Sequence, residues 1–208
     1  KNGEWLTHPA FTAFNTNGFW AGKFETGYKG ATTTASAQVN SNDTSKVIIK
    51  PNVYSWRNIN IKNIFETSYN YNREVDSHMM KNTEWGAVAY LSHSKYGIDK
   101  EVNINNNSSY KTGYSSLTTL DQSTFPGTSG EGDTYNQPYN TNIGYLASTT
   151  GNISGIYDMS GGADEYVSAH IIDTYGASGF SLETIANYNN NFFDKYNKLA
   201  STSTFEYR

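Results

Sequence analysis

The chain has 208 residues, a formal net charge of −4 and no cysteine. This composition excludes a disulfide-rich secreted scaffold and any thiol or zinc–thiolate site. The lack of a basic excess argues against a nucleic-acid partner, whose affinity would depend on neutralising phosphates. Aromatic residues make up 15% of the chain, so residues 1–208 are predicted to form one domain with a core built from rings.

Three strands are predicted in the first third of the chain, over residues 18–28, 46–50 and 53–61, because apolar residues alternate there. Pro51 ends the second of them. The residues predicted to share one face of the first strand are Trp20, Gly22, Phe24 and Thr26.

Two helices are predicted further along, over residues 77–96 and 182–199. Ser77 and Ser181 are their expected N-caps, and Gly97 is expected to stop the first helix. Met80, Glu84, Ala87, Val88 and Leu91 are predicted to lie on one stripe of the first helix, at spacings of three and four residues. The stripe of the second helix is Ile185, Tyr188, Phe192, Tyr196 and Leu199.

Residues 101–152 are mostly Asn, Ser, Thr and Gly, which predicts a long irregular stretch of the kind that tends to be functional. Few strands, two helices and much irregular chain indicate an α+β fold with large loops. The longest apolar runs are too short to cross a bilayer, so no membrane span is expected.

The most informative motif is residues 151–166, Gly-Asn-Ile-Ser-Gly-Ile-Tyr-Asp-Met-Ser-Gly-Gly-Ala-Asp-Glu-Tyr. It resembles the signature of the formylglycine-generating-enzyme (sulfatase-modifying factor) family, with Gly162 and Asp164 as departures from it. The matching positions are Asn152, Gly155, Tyr157, Asp158, Met159, Gly161 and Glu165. Residues 19–26 and 79–91 resemble two earlier stretches of the family, in the same order.

The resemblance implies an irregular, loop-rich C-type-lectin-like domain that binds Ca²⁺ at this motif. By position, the ligands are the side chains of Asp158 and Glu165 and the carbonyl oxygens of Gly161 and Ala163. Carboxylates and carbonyls are the oxygen ligands that calcium prefers. The alternative is that Asp158 caps a turn and Glu165 is a solvated strand residue. Residues 129–133 are either a second calcium loop or a flexible acidic turn.

The resemblance does not extend to the family's chemistry, because its enzymes use a cysteine pair and this chain has no cysteine. No enzyme activity is therefore predicted. The four histidines lack the spacing of a metal-binding motif; they are His8, His78, His93 and His170. An acid pair for glycoside hydrolysis is defined by spatial separation, so the sequence leaves that alternative open.

The chain is therefore predicted to be a non-catalytic, extracellular ligand-binding or adhesion domain of a bacterial surface protein, with a protein or glycan as partner. It starts at Lys1 without a methionine, so we expect a mature product or a fragment. The predicted contact surface is the loops of residues 101–150 and the aromatic C-terminal region. Two alternatives stay open: a pilin-like subunit that self-assembles into a surface filament, and a phage or retroelement-diversified receptor-binding protein.

Overall fold

The structure is a computed structural model that describes residues 18–116 and 136–197. Over these residues the chain forms three α-helices, which are Ile61–Tyr71 (α1), Asn82–Leu91 (α2) and Leu182–Ile185 (α3). It also forms six short strands, which are Gly27–Tyr28 (β1), Val47–Ile48 (β2), Tyr114–Ser115 (β3), Gln137–Pro138 (β4), Ala169–Ile171 (β5) and Asp194–Tyr196 (β6).

The strands pair two by two. The β1–β2 and β3–β4 pairs are antiparallel, whereas β5 and β6 run parallel with His170 opposite Lys195. These ladders are too short to fix the domain alone. The irregular chain is held by backbone–backbone hydrogen bonds between loops, such as that from the Tyr157 N–H to the Lys23 carbonyl, and by hydrogen bonds between side chains and backbone. The described residues thus combine helices with small sheets. The more specific prediction of a C-type-lectin-like fold stays a prediction.

Helix α1 was not predicted, and the strand predicted over residues 53–61 overlaps its first residue, Ile61. Asn60 begins the helix, since its side chain accepts a hydrogen bond from the Asn63 N–H at 2.8 Å. The apolar residues Ile61, Ile64 and Phe65 lie on the helix face that packs into the core. Residues 53–60 make only isolated bridges with other segments.

Helix α2 is shorter than the predicted 77–96. It begins after Lys81, whose backbone N–H donates to the Glu84 carboxylate at 2.9 Å, as in the second half of a capping box. Ser77 lies outside the helix and donates its hydroxyl to the Ser68 carbonyl. Gly97 lies in a turn beyond the helix end, with its N–H donating to the Ser94 carbonyl.

The predicted helix over 182–199 is wrong from Ala186 to Asn197, and its last two residues, 198 and 199, lie outside the described residues. Ser181 does cap α3, accepting from the Thr184 N–H, but the helix ends at Ile185. The Asn side chains that follow offer the backbone local alternatives to a helix, and Asn189 accepts from the Asn191 N–H at 2.9 Å. The chain therefore leaves the helix and returns as β6.

The predicted strand over 18–28 is reduced to β1, and the four residues predicted to share one face of it do not share an environment. Phe24 is buried, whereas Trp20 is fully exposed and both Gly22 and Thr26 are exposed. The predicted strand over 46–50 is confirmed in part as β2. The stretch predicted to be irregular, 101–152, contains β3, β4 and a 3-10 turn at Gly144–Ala147 among its described residues.

The core consists of two aromatic clusters, as the composition predicted. The smaller cluster joins Phe24, Ala147 and Tyr157, with Tyr139 packed against them. The larger cluster, hereafter the α1 cluster, centres on Phe65, Met79 and Phe193. Partly buried residues from α1, α3 and the C-terminal turn surround it: Ile61, Ile64, Tyr69, Phe180, Ile185, Tyr188 and Phe192.

No helix in the described ranges 18–116 and 136–197 is long and apolar enough to cross a membrane.

Candidate functional site

The motif of residues 151–166 meets the 19–26 stretch in the small aromatic cluster. Tyr157 is 1% exposed and stacks on Phe24 with ring centroids 5.2 Å apart. Its N–H donates to the Lys23 carbonyl at 2.9 Å, and its hydroxyl donates to the Tyr139 carbonyl at 3.0 Å. The two stretches are thus tied through backbone and ring contacts, which places Asp158 directly beside Glu25.

Asp158 is a buried acceptor for three donors from two other segments, which are residue 25 and the loop of residues 105–113. Its carboxylate accepts from the Gly113 N–H at 2.8 Å, the Asn105 side-chain amide at 2.9 Å and the Glu25 N–H at 3.2 Å. Burial raises its pKa, although these hydrogen bonds oppose the shift. The backbone at Asp158 is left-handed, with φ of 63°. Asp158 therefore joins three loops that the short ladders leave unconnected.

Glu25 is a site residue that the sequence analysis did not select. Burial and the neighbouring charge of Asp158 raise the pKa of Glu25 to about 8. A hydrogen bond that its carboxylate accepts from the Ser55 hydroxyl at 2.9 Å has the opposite effect and lowers the pKa. The Ala163 N–H also lies 3.5 Å from its carboxylate. The only signal in the sequence was its place in the 19–26 stretch, because no pattern there shows that it faces Asp158.

Glu165 is anchored by the side chain of Trp85, whose indole N–H donates to the carboxylate. The residue as a whole is exposed, yet the protein packed around its carboxyl group and the charge of Asp158 raise its pKa to about 7. Trp85 lies on α2, so that helix positions Glu165. The stretch 79–91, singled out in the sequence, therefore contacts the motif directly.

The turn between the two acids passes through two left-handed glycines, Gly161 with φ of 79° and Gly162 with φ of 77°. Asn105 pairs with this turn by donating its N–H to the Ser160 carbonyl and accepting from the Gly162 N–H, both at 2.8 Å. Among the described residues, no backbone or side-chain donor is bonded to the carbonyl oxygen of Gly161 or of Ala163. These two oxygens therefore remain candidate ligands.

The predicted calcium ligands thus lie on one turn, but they do not all have the same freedom to bind an ion. A carboxylate offers about four lone-pair positions, and three donors use most of those on Asp158. Among the described residues, no group of three or more His, Asp or Glu side chains is close enough to hold a metal. An ion here would depend on Glu165, backbone carbonyls, the remaining position on Asp158, and water.

The histidines of the described ranges lie apart in the structure. His78 contacts Glu84 at the start of α2, and His170 lies in β5. His8 and the acidic segment 129–133 fall outside the described residues.

A second feature of interest is a cavity of about 480 Å³ between α1 and residues 166–180. It opens to solvent and shares its apolar floor with the α1 cluster. Residues that line it include Ile61, Phe65, Met79, His170, Tyr175 and Phe193. Its volume and its apolar lining with few polar groups are typical of small-molecule sites. Of the described aromatic residues in the C-terminal region, Tyr188, Phe192 and Phe193 pack in the α1 cluster, and Phe193 also lines this cavity. The role of the region as a contact surface stays a prediction.

Comparison with known proteins places the chain in no family. No protein-family model matches it, and no solved structure matches it. It is 41% identical over 68 residues to the outer-membrane lipoprotein carrier protein of Wigglesworthia glossinidia brevipalpis. That similarity covers 33% of this chain, and the chain spans only 30% of the length of that protein.

Proposed function

We propose that the chain is a non-catalytic binding domain of a bacterial surface protein that meets its ligand outside the cell. The observation that best supports binding is the open cavity beside α1, which has the volume and apolar lining of a ligand site. The absence of cysteine from the whole chain supports a non-catalytic role, because the enzymes it resembles depend on a cysteine pair.

The binding proposal is tested by ligand-observed NMR with a library of small apolar and amphipathic molecules. Ala177→Trp places an indole at the exposed wall of the cavity, and we expect it to abolish the saturable signals of the wild type. Ala186→Trp is the matched control, because Ala186 is also exposed but does not line the cavity. Loss of the signals in both variants, or none in the wild type, would contradict a binding role for the cavity.

Two further measurements separate the alternatives. Sedimentation velocity over a range of protein concentrations should show a monomer, whereas growth of large species would favour the filament subunit. Antibodies to the domain should label intact producing cells. Turnover of any library compound would overturn the non-catalytic part of the proposal.

The second part of the proposal is that the turn from Asp158 to Glu165 binds calcium. Burial, and then repulsion from the carboxylate of Asp158, raise the pKa of Glu25 and of Glu165, so these three carboxylates lie near one another. None of the ion pairs found among the described residues includes them. A divalent cation held by Glu165, Asp158 and the carbonyls of Gly161 and Ala163 would relieve that repulsion. Extracellular modules of this kind have dissociation constants of about 10⁻⁴–10⁻³ M.

Terbium luminescence tests this site, because the ion can be excited through a nearby indole and Trp85 contacts Glu165. We expect wild type to show luminescence that calcium displaces, and Glu165→Gln to lose it. Glu183→Gln, at an exposed acid of α3, is the control. Calcium at a hundredfold excess over its dissociation constant should stabilise the fold by about 2.7 kcal/mol. An unchanged melting temperature with calcium or chelator would mean that Asp158 is only a turn acceptor.

A further inference from the structure

Two tyrosines lie side by side on the outer face of the region around β1. Across this region Val47 lies opposite Tyr28, and Tyr54 lies opposite Lys111. The Tyr28 N–H donates to the Tyr54 carbonyl at 3.0 Å, which joins the two pairs into one row. Residues directly opposite one another point to the same face, so both rings and the Lys111 side chain share it. Ser55, the next residue along, is fully buried, and alternation places it on the other face.

The ammonium groups of two lysines lie over these rings. Lys111 Nζ is 5.2 Å from the centre of the Tyr54 ring, and Lys46 Nζ is 5.9 Å from the centre of the Tyr28 ring. None of the ion pairs among the described residues includes either lysine. Asp43 is the nearest acid in sequence to Lys46, and its carboxylate caps the turn that follows it. Both ammonium groups are therefore available to an anionic ligand. The four residues Tyr28, Lys46, Tyr54 and Lys111 are called the tyrosine face below.

The chain around the tyrosine face is basic, although the protein as a whole has a net charge of −4. The adjoining segments 27–29, 46–50, 53–57 and 110–112 contain no Asp or Glu. Their cationic residues are Lys29, Lys46, Lys50, Arg57 and Lys111. Charge of one sign gathered on adjoining segments attracts a ligand of the opposite sign, so the face is complementary to an anion.

The tyrosines decide which kind of anion fits. Tyr28 packs edge-on against Trp56 with ring centroids 5.0 Å apart, so its ring is held in place. The hydroxyl groups of Tyr28 and Tyr54 are not buried and have no hydrogen-bond partner among the described residues. A phenol hydroxyl both donates and accepts, which suits the many hydroxyl groups of a sugar chain. Because the lysines lie over the rings, a nucleic-acid base has less open ring surface on which to stack.

We propose that the tyrosine face binds an acidic polysaccharide, with its carboxylates on Lys46 and Lys111 and its hydroxyl groups on the tips of the two tyrosines. Neighbouring strands lie about 4.8 Å apart, so the row from Val47 to Lys111 is about 14 Å wide. That width fits a chain of sugars better than a single sugar. The inference goes beyond the proposed function, because the face shares no residue with the cavity or with the calcium turn.

Biolayer interferometry with immobilised alginate, a polymer of sugar acids, tests the proposal at low salt. Wild type should bind alginate saturably and should not bind the neutral polymer dextran. Lys46→Gln/Lys111→Gln should weaken binding by about tenfold, the effect of two exposed ion contacts. Lys95→Gln/Lys100→Gln is the matched control, because it removes the same charge at exposed lysines outside the face. It should bind alginate as wild type does.

Three results would overturn the inference. Equal weakening in both double variants would mean that only the overall charge matters. Oligothymidylate that binds as tightly as alginate would assign the face to single-stranded nucleic acid. Loss of alginate binding in a chelator would move the ligand to the calcium turn.

A measurement on the wild type guards against a double variant that fails to fold. In NMR spectra, alginate should shift the ring signals of Tyr28 and Tyr54, and alginate bound without these shifts would also overturn the inference. Ala177→Trp, which fills the cavity, should bind alginate as wild type does. Failure at the tyrosine face therefore leaves the binding role of the cavity intact, and failure of the cavity leaves the tyrosine face intact.

Discussion

Replacing Glu84 by glutamine should destabilise the domain in a pH-dependent way. Glu84 is buried at the start of α2, where it accepts from the Lys81 N–H at 2.9 Å and contacts His78 Nε2 at 3.1 Å. His78 Nδ1 lies 2.7 Å from the Asp76 carbonyl oxygen. Because both partners of the imidazole only accept, His78 donates from both nitrogens and is positively charged when the pair is formed.

The direction of the pH effect follows from the two pKa shifts. The hydrogen bond to Glu84 raises the pKa of His78 above 6.5, despite opposition from burial. Burial opposes ionisation of Glu84, but the hydrogen bonds from His78 and Lys81 outweigh it and hold the pKa of Glu84 below 4.5. The stabilisation that His78 contributes is complete below pH 6.5 and is lost as the pH rises through the raised pKa of His78. The stabilisation that Glu84 contributes is complete above pH 4.5 and is lost as the pH falls through the lowered pKa of Glu84.

The pair should therefore contribute most between about pH 4.5 and 6.5. Hydrogen bonds to charged groups are worth about 1.5–3 kcal/mol and neutral ones about 1 kcal/mol. Since the His78 side chain is 26% exposed, we expect Glu84→Gln to lose about 2 kcal/mol at pH 5.5 and about 1 kcal/mol at pH 8.5. For a chain of this size, 2 kcal/mol lowers the melting temperature by about 4–8 °C.

Urea denaturation of wild type and Glu84→Gln at the two pH values measures the difference in unfolding free energy. Glu74→Gln is the control, because Glu74 is exposed in the turn before α2, and it should change stability by less than about 0.5 kcal/mol at either pH. An equal loss of unfolding free energy for Glu84→Gln at pH 5.5 and pH 8.5 would refute the charged pair with His78. The role of Glu84 would then be limited to capping α2.

Two further substitutions test the packing around the site. Gly161→Ala should destabilise the domain by more than about 2 kcal/mol, because φ is 79° and the new methyl group would meet the Asn105 carbonyl. Gly176→Ala, with φ of 53° and open space around it, should lose only about 1 kcal/mol, and similar melting curves for both would contradict the close approach. Phe65→Ala should lose about 3–5 kcal/mol, since Phe65 is 3% exposed at the centre of the α1 cluster. Tyr71→Ala, at an exposed ring of the same helix, should change the urea midpoint little, and equal midpoints would place the core elsewhere.

Local signals in the sequence located some features well. The hydroxyl of Ser181 accepts from a backbone N–H three residues further on, so the start of α3 was predicted correctly from spacing alone. The start of α2 was misplaced at Ser77, because Glu84, whose carboxylate accepts from the Lys81 N–H, was assigned to the helix stripe and not to a capping position. Strands predicted from alternating apolar residues, and helices predicted from stripes at helical spacing, were less reliable in this chain. The Asn-rich segment after Ile185 offered a helical stripe, but side-chain hydrogen bonds such as that of Asn189 ended the helix.

Composition thus excluded thiol chemistry and indicated a core built from rings, and the family resemblance pointed to residues 151–166 as a site with Asp158 and Glu165 as its acids. Only the tertiary structure decided that Glu25 lies beside Asp158, that donors from Gly113 and Asn105 occupy the Asp158 carboxylate, and that His170 lines a cavity. The physical reason is distance along the chain. These contacts join residues far apart in sequence, and their energies depend on burial and on which donors face which acceptors, which no local spacing specifies.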